Sequence, residues 1–395
     1  MALRDNITQS KCLPWRHYGT MLRKRHVRTG DLSEGVKKAW REIFIALWQT
    51  VLNDSQLHTK PPPLRIAFSD RLSAKGGACL TPGKSFVIRV STRFALNLHM
   101  ELRTVQDRLA SLAFGSASTQ RTRRAEVLAV VEEFSIGFIL LHEIFHLIGG
   151  HAGWVAAKRS SILSFKQRHL GLPLAWGAGP PYAAIADAYL LESEADCSAI
   201  QWMLQVMSPP RLQRLLRTRT EHMQFFSGHR RLAAFRLLLA SVWLAIRRLE
   251  SAREQLKFNK SETHPLPVTR VFAAFGTFLM HYSGISNLRF DAEGGAQHTL
   301  TGRDVTSIRD FLQQILNPVL KCDWNPQSPN IPPGSLEAQM RFYLHDYGNH
   351  LLNKPVETVA GRELIRMERA RFRMDQRLRP FRYYRAVKLR RMTSP

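Results

Sequence analysis

The spacing of apolar positions divides the chain into helices more readily than into strands. Between residues 127 and 148 apolar side chains recur at three- and four-residue steps: Val127, Val131, Phe134, Phe138, Leu141, Phe145 and Ile148. This is the period of one helical face committed to a core. Ile139, Leu140, Ile144 and Leu147 fill most of the remaining circumference, so the helix is expected to be buried. Gly149 and Gly150 offer it a stop and let the backbone turn. The same reading predicts an amphipathic helix over 34–52, with Trp40, Ile43, Leu47 and Val51 on one face. Further helices are predicted over 94–113, 154–170, 184–207, 211–225, 232–249 and 304–316, and two more lie beyond residue 335. Residues 64–69 and 85–91 are β-like, separated by Gly76-Gly77 and Pro82-Gly83 turns, and would form a small sheet. If 85–90 is the edge strand of that sheet, an extended peptide could add to it through main-chain hydrogen bonds. A plain core hairpin is the other reading.

The fold expected is therefore mainly helical α+β. Four segments are expected: residues 1–60, a basic segment with an accessory helix; 61–290, the main unit; 291–334, a loop-rich connector; and 335–395, a basic helical region. Pro61-Pro62-Pro63 stiffens the first junction, and the proline-rich stretch 325–334 is the best linker candidate. The Gly- and Pro-rich stretch 171–182 forbids a regular element; it reads as a wall, a lid or a connector, with Trp176 and Tyr182 available for contact.

Composition changes this picture in two respects. With 395 residues the chain can bury a large core. Its longest uncharged apolar run, residues 237–246, is about half of what a bilayer needs. Residues 1–15 carry no apolar run of the kind a secretory leader requires, and the four cysteines are far apart without a Cys-x-x-Cys pair. A cytoplasmic protein with no transmembrane segment is the expectation. Against 57 Lys and Arg stand 31 Asp and Glu, a formal charge of +26, which attracts polyanions such as nucleic acid, an acidic protein or an anionic membrane. An arginine-favouring genome would produce the same excess. Residues 362–391 hold 12 Lys or Arg interleaved with Phe372, Phe381, Tyr383 and Tyr384. That interleaving suits nucleic acid, although a solvated helix face has the same composition.

The chemistry sits in the buried helix. His142-Glu143-x-x-His146 places two imidazoles one turn apart on one face, within reach of a single metal ion. Glu143 would lie at the ion's open position, where a carboxylate can take a proton from water. Two hydrogen-bonded core histidines are the alternative, since burial in either case demands partners. A third ligand is needed. A metzincin pattern would require histidine at position 152, which is Ala152, with His151 one place early. The remaining candidate is the predicted helix through Glu192 and Asp196, which share a face with or near Ala188, Ala195 and Ala199, small enough for close approach to the histidine helix. Glu192 would ligate zinc and Asp196 would orient a ligand imidazole. Glu194, about 200° away around the axis, should face elsewhere. Manganese or iron would suit the same ligands.

Together these residues resemble the gluzincin metallopeptidases, in particular the CAAX prenyl-protease and HtpX branch. The resemblance rests on His142-Glu143-x-x-His146, the later Glu192-x-x-Ala195-Asp196, His151 five residues after His146, and Thr263-His264-Pro265 followed by Arg270. The run Gly137 through Glu143 with Gly150-His151 is also similar to the Lit-type phage-exclusion peptidases, which are soluble and intracellular. The resemblance covers roughly residues 125–272. It implies a zincin-like catalytic domain and a soluble zinc-dependent endopeptidase acting on a protein or peptide substrate, in the Lit-type case a phage-defence protease that is triggered. A peptidase also needs a donor for the oxyanion formed when water attacks an amide. His264 is the preferred donor, with Arg270 as its anchor or as a contact to substrate carbonyls. The competing expectation is a nucleic-acid-associated binding protein whose zinc site is structural or vestigial.

Overall fold

The structure is a computed structural model that describes residues 29–53, 57–69, 78–81, 86–114, 121–154, 182–205, 231–254, 267–283, 301–322 and 377–383, together with Asn349, Pro355 and Met374. Among them the fold is mainly helical α+β. Helix α1 (Thr29–Leu52) leads to a three-stranded sheet of β1 (Leu64–Ser69), β2 (Ala78–Thr81) and β3 (Phe86–Ser91). Helices α2 (Thr92–Thr104), α3 (Gln106–Phe114) and α4 (Arg121–Ile148) follow, then α5 (Tyr182–Gln205), α6 (Arg231–Glu254) and α7 (Pro267–Ser283). Next come α8 (Gly302–Phe311), a π-helical turn (Leu312–Leu316) and α9 (Asn317–Cys322), and a 3-10 turn covers Arg379–Phe381.

Helix α4 is the axis of the molecule. Every residue from Val130 to Ile148 is buried, because α1, α3, α5, α6 and β2 all pack around it. At 28 residues it is about 42 Å long, enough to span the core from end to end. Within this core Ser135 Oγ donates to Ser241 O on α6, and His99 Nδ1 on α2 lies 2.7 Å from Glu132 Oε1. Residues of α1 and of the run 311–319 (Val36, Trp40, Phe311, Ile315, Leu316 and Val319) belong to the same apolar cluster as α4, so elements from outside residues 61–290 contribute to one core.

Two local expectations are corrected. Residues 94–113 were read as one helix, but Val105 (φ −105°, ψ 6°) breaks the run into α2 and α3. A kink there lets Leu102 and Leu109 both point into the core. The edge-strand reading of 85–90 also fails. β3 is the central strand, parallel to β1 and antiparallel to β2, so both of its hydrogen-bonding edges are taken. Its near-continuous burial (Val87, Ile88 and Val90) fits a central position. The predicted helices over 154–170 and 211–225, and most of the glycine- and proline-rich stretch 171–182, lie outside the described residues. Among the described residues no helix is long and apolar enough to cross a membrane.

The C-terminal region was expected to be either a nucleic-acid-binding or a solvated basic face. Most of residues 362–391 lie outside the described residues; those described, 377–383, dock on the C-terminal end of α4. The Tyr383 backbone N–H donates to Ile148 O, and Tyr383 O accepts from His58 N. Leu378 is buried in a small apolar cluster with Trp154, Leu190, Leu191 and Met374. Gly150 makes the approach possible. Its φ of +82° disfavours any side chain, and a Cβ there would lie 2.6 Å from the carbonyl carbon of Phe381. Gly150→Ala is therefore expected to lower stability by at least about 1–2 kcal/mol from the left-handed backbone alone, read from the denaturant midpoint. Gly153→Ala should cost less, since its Cβ would meet only the Phe381 side chain, at 3.2 Å.

Candidate metal centre

Local helical geometry builds the first half of the site. One turn apart on α4, His142 and His146 have ring centroids 4.6 Å apart and ring planes at 84°. Their Nε2 atoms face each other at 3.0 Å. Helix α5 supplies the other half. Ala195 and Ala199, both fully buried, keep the α4–α5 interface thin, and the Glu192 carboxylate straddles the two rings. One of its oxygens is 3.3 Å from His142 Nε2 and the other 3.3 Å from His146 Nε2. Two zinc–nitrogen bonds of about 2.05 Å at a tetrahedral angle would separate the nitrogens by about 3.3 Å. The nitrogens found are 3.0 Å apart, close to that separation, and one ligand atom from each of the three side chains lies within 4.8 Å of the others. Among the described residues this is the one buried group of three or more such ligands close enough to hold a metal ion.

The charge around the two rings also suits a cation. Burial alone would push the His142 imidazolium down, but Asp196 and Glu192 outweigh it and raise its pKa to about 10. A positive charge is wanted at this point, and a divalent ion can replace the proton. His142 Nδ1 lies 2.8 Å from Asp196 Oδ1, an ion-pair contact that aims Nε2 at Glu192. Asp196 is wholly buried; despite desolvation, Arg270 and His142 hold its carboxyl below the usual range. Arg270 on α7 makes a two-pronged contact, Nε to Oδ2 at 2.7 Å and one terminal nitrogen to Oδ1 at 2.9 Å. That nitrogen is 4.0 Å from Glu192 Oε2. Of the sequence candidates, then, His142, His146, Glu192, Asp196 and Arg270 converge. Glu143 is buried beside His142 on the same helix. His264 lies outside the described residues.

A second chain of polar groups leads away from His146. Its Nδ1 is 2.9 Å from His151 Nδ1, and His151 Nε2 is 3.6 Å from Glu194 Oε2. Burial holds His151 below the usual histidine range, against the raising pull of Glu194. Glu194 faces away from Glu192, as its angular position on α5 requires, and is bound by Arg382 from the C-terminal segment. Sequence reading noticed His151 without assigning it a contact and missed Arg382. No pattern in the sequence pairs Glu194 with His151, and none singles out Arg382 among the arginines of the tail.

Comparison of the chain with protein-family models, with curated proteins and with solved structures finds no match in any of the three. The chemistry of this centre is therefore read from its own geometry.

Proposed function

We propose that the protein is a zinc-dependent endopeptidase of gluzincin type, with α4 and α5 as the ligand helices of a zincin-like catalytic domain. One observation carries the reading: the buried His142 and His146 turn their Nε2 atoms to each other at 3.0 Å, each 3.3 Å from a different oxygen of the buried Glu192 carboxylate, beside a glutamate at the position after the first histidine. Held by these three side chains, zinc would supply Lewis acidity, lowering the pKa of a water to about 7 and polarising a peptide carbonyl. Glu143 takes the proton of the attacking water as its oxygen bonds to the carbonyl carbon, and returns it to the nitrogen as the C–N bond breaks. Asp196, clamped by Arg270, keeps the His142 ring aimed. His264 is assigned the oxyanion. An extended substrate would add to β2 rather than to β3, since among the described residues β2 pairs with β3 alone and packs along α4.

The test is metal content followed by hydrolysis. Full-length protein purified without added metal is expected to contain one zinc per chain by mass spectrometry. It should cleave an unstructured protein substrate in a manner abolished by chelation and restored by zinc. Protein that takes up no divalent metal under any loading condition would remove the proposal and leave a hydrogen-bonded core cluster, with the basic surface as the next place to test for binding.

A further inference from the structure

A histidine that binds a cation through Nε2 must carry its hydrogen on Nδ1, and the acceptor found there fixes both tautomer and ring. For His142 the group facing Nδ1 is the Asp196 carboxylate at 2.8 Å, an anion that favours N–H at that atom. His146 presents a different case, because its Nδ1 faces another ring nitrogen, His151 Nδ1, at 2.9 Å. Two facing ring nitrogens make a hydrogen bond only when one of them lacks the hydrogen. If His151 kept its own on Nδ1, His146 would be left with its hydrogen on Nε2, the atom directed at His142 and Glu192, and the lone pair for the cation would be lost. The useful arrangement is the opposite one, with the His151 hydrogen on Nε2.

Glu194 selects that arrangement. Its Oε2 faces His151 Nε2 at 3.6 Å, an electrostatic contact that favours N–H over a lone pair at that atom. A carboxylate with only 11% of its side chain exposed needs a cation beside it, and Arg382, with 5% exposed, supplies one. Arg382 is delivered by the docked segment through the Tyr383–Ile148 and His58–Tyr383 backbone hydrogen bonds and the Phe381–Gly150 contact. We infer that Arg382 is a positioning residue of the metal centre, setting the tautomer and ring of His146 through Glu194 and His151, so that the centre is complete only with the C-terminal segment docked on the end of α4. The inference rests on reading His142, His146 and Glu192 as a metal centre.

The experiment measures zinc affinity, by competition with a chromogenic chelator, and the visible spectrum of the cobalt-substituted full-length protein. Arg382→Gln is expected to weaken zinc binding by about 10- to 100-fold and to change the cobalt spectrum. Arg382→Lys should restore most of both, and the exposed neighbour Arg379→Gln should leave both at the wild-type value. If Arg382→Gln does not fold because Glu194 loses its guanidinium, the double variant Glu194→Gln with Arg382→Gln removes both charges together, and the same loss is expected. Wild-type affinity and an unchanged cobalt spectrum in a folded Arg382→Gln or double variant would overturn the inference and make the segment a staple only. Failure of the underlying reading looks different: wild type and Glu192→Ala would then take up zinc equally poorly.

Discussion

Replacing Glu143 with glutamine is expected to leave one zinc per chain and the fold intact while lowering kcat by about 10²- to 10⁴-fold. Glutamine has the shape of glutamate, so the packing of this buried position on α4 is kept. What it loses is the ability to accept a proton from water and pass it to the leaving amine. None of the three ligand atoms is altered, which is why metal content separates this variant from Glu192→Ala. There the carboxylate that bridges the two imidazoles at 3.3 Å is gone, and zinc should be lost with it. Equal activity in Glu143→Gln would move the general base elsewhere. Loss of zinc in the same variant would make Glu143 a ligand rather than a base.

Arg270→Leu is expected to cost about 3–5 kcal/mol of folding stability, because it leaves the Asp196 carboxylate wholly buried beside His142 without its two-pronged partner. Zinc affinity should fall as well, since the acceptor that aims His142 is then free to turn. Arg270→Lys should recover only part of the loss. A lysine is a point donor and cannot span both oxygens as the guanidinium does. These outcomes separate the Asp196 clamp seen in the structure from the contact to substrate carbonyls that the sequence offered for Arg270. A contact to substrate carbonyls predicts full stability and full zinc in Arg270→Leu, with the defect confined to KM or kcat. Chemical denaturation and metal analysis of the same preparation decide between them.

Much of the centre was legible because it is written locally. A four-residue step places His142 and His146 on one face of a helix whatever surrounds it, and the same step places Glu192 and Asp196 together on α5. The long run of apolar residues around His142 announced a buried helix, and the small residues Ala195 and Ala199 announced a close neighbour. Those periodicities are properties of a few consecutive residues, so the amino-acid sequence alone determined that α4 and α5 exist, that they are buried, and which side chains they offer. It was also sufficient for the mainly helical α+β character.

What the sequence could not determine is who meets whom across long separations. Whether 85–90 is a central or an edge strand depends on β1 joining it in parallel from one side and β2 in antiparallel from the other, and the residues of β3 do not name those partners. Arg270 reaches Asp196 across 74 positions, and Arg382 reaches Glu194 across 188. Arginine is abundant throughout this chain, and an arginine destined for a buried carboxylate looks like one destined for solvent until the route of the backbone is known. Tertiary structure decided those pairings because an unpaired charge taken out of water is too costly to leave. The path that brings residues 377–383 over Gly150 selects Arg382 to neutralise Glu194, and the packing of α7 beside α5 selects Arg270 to neutralise Asp196.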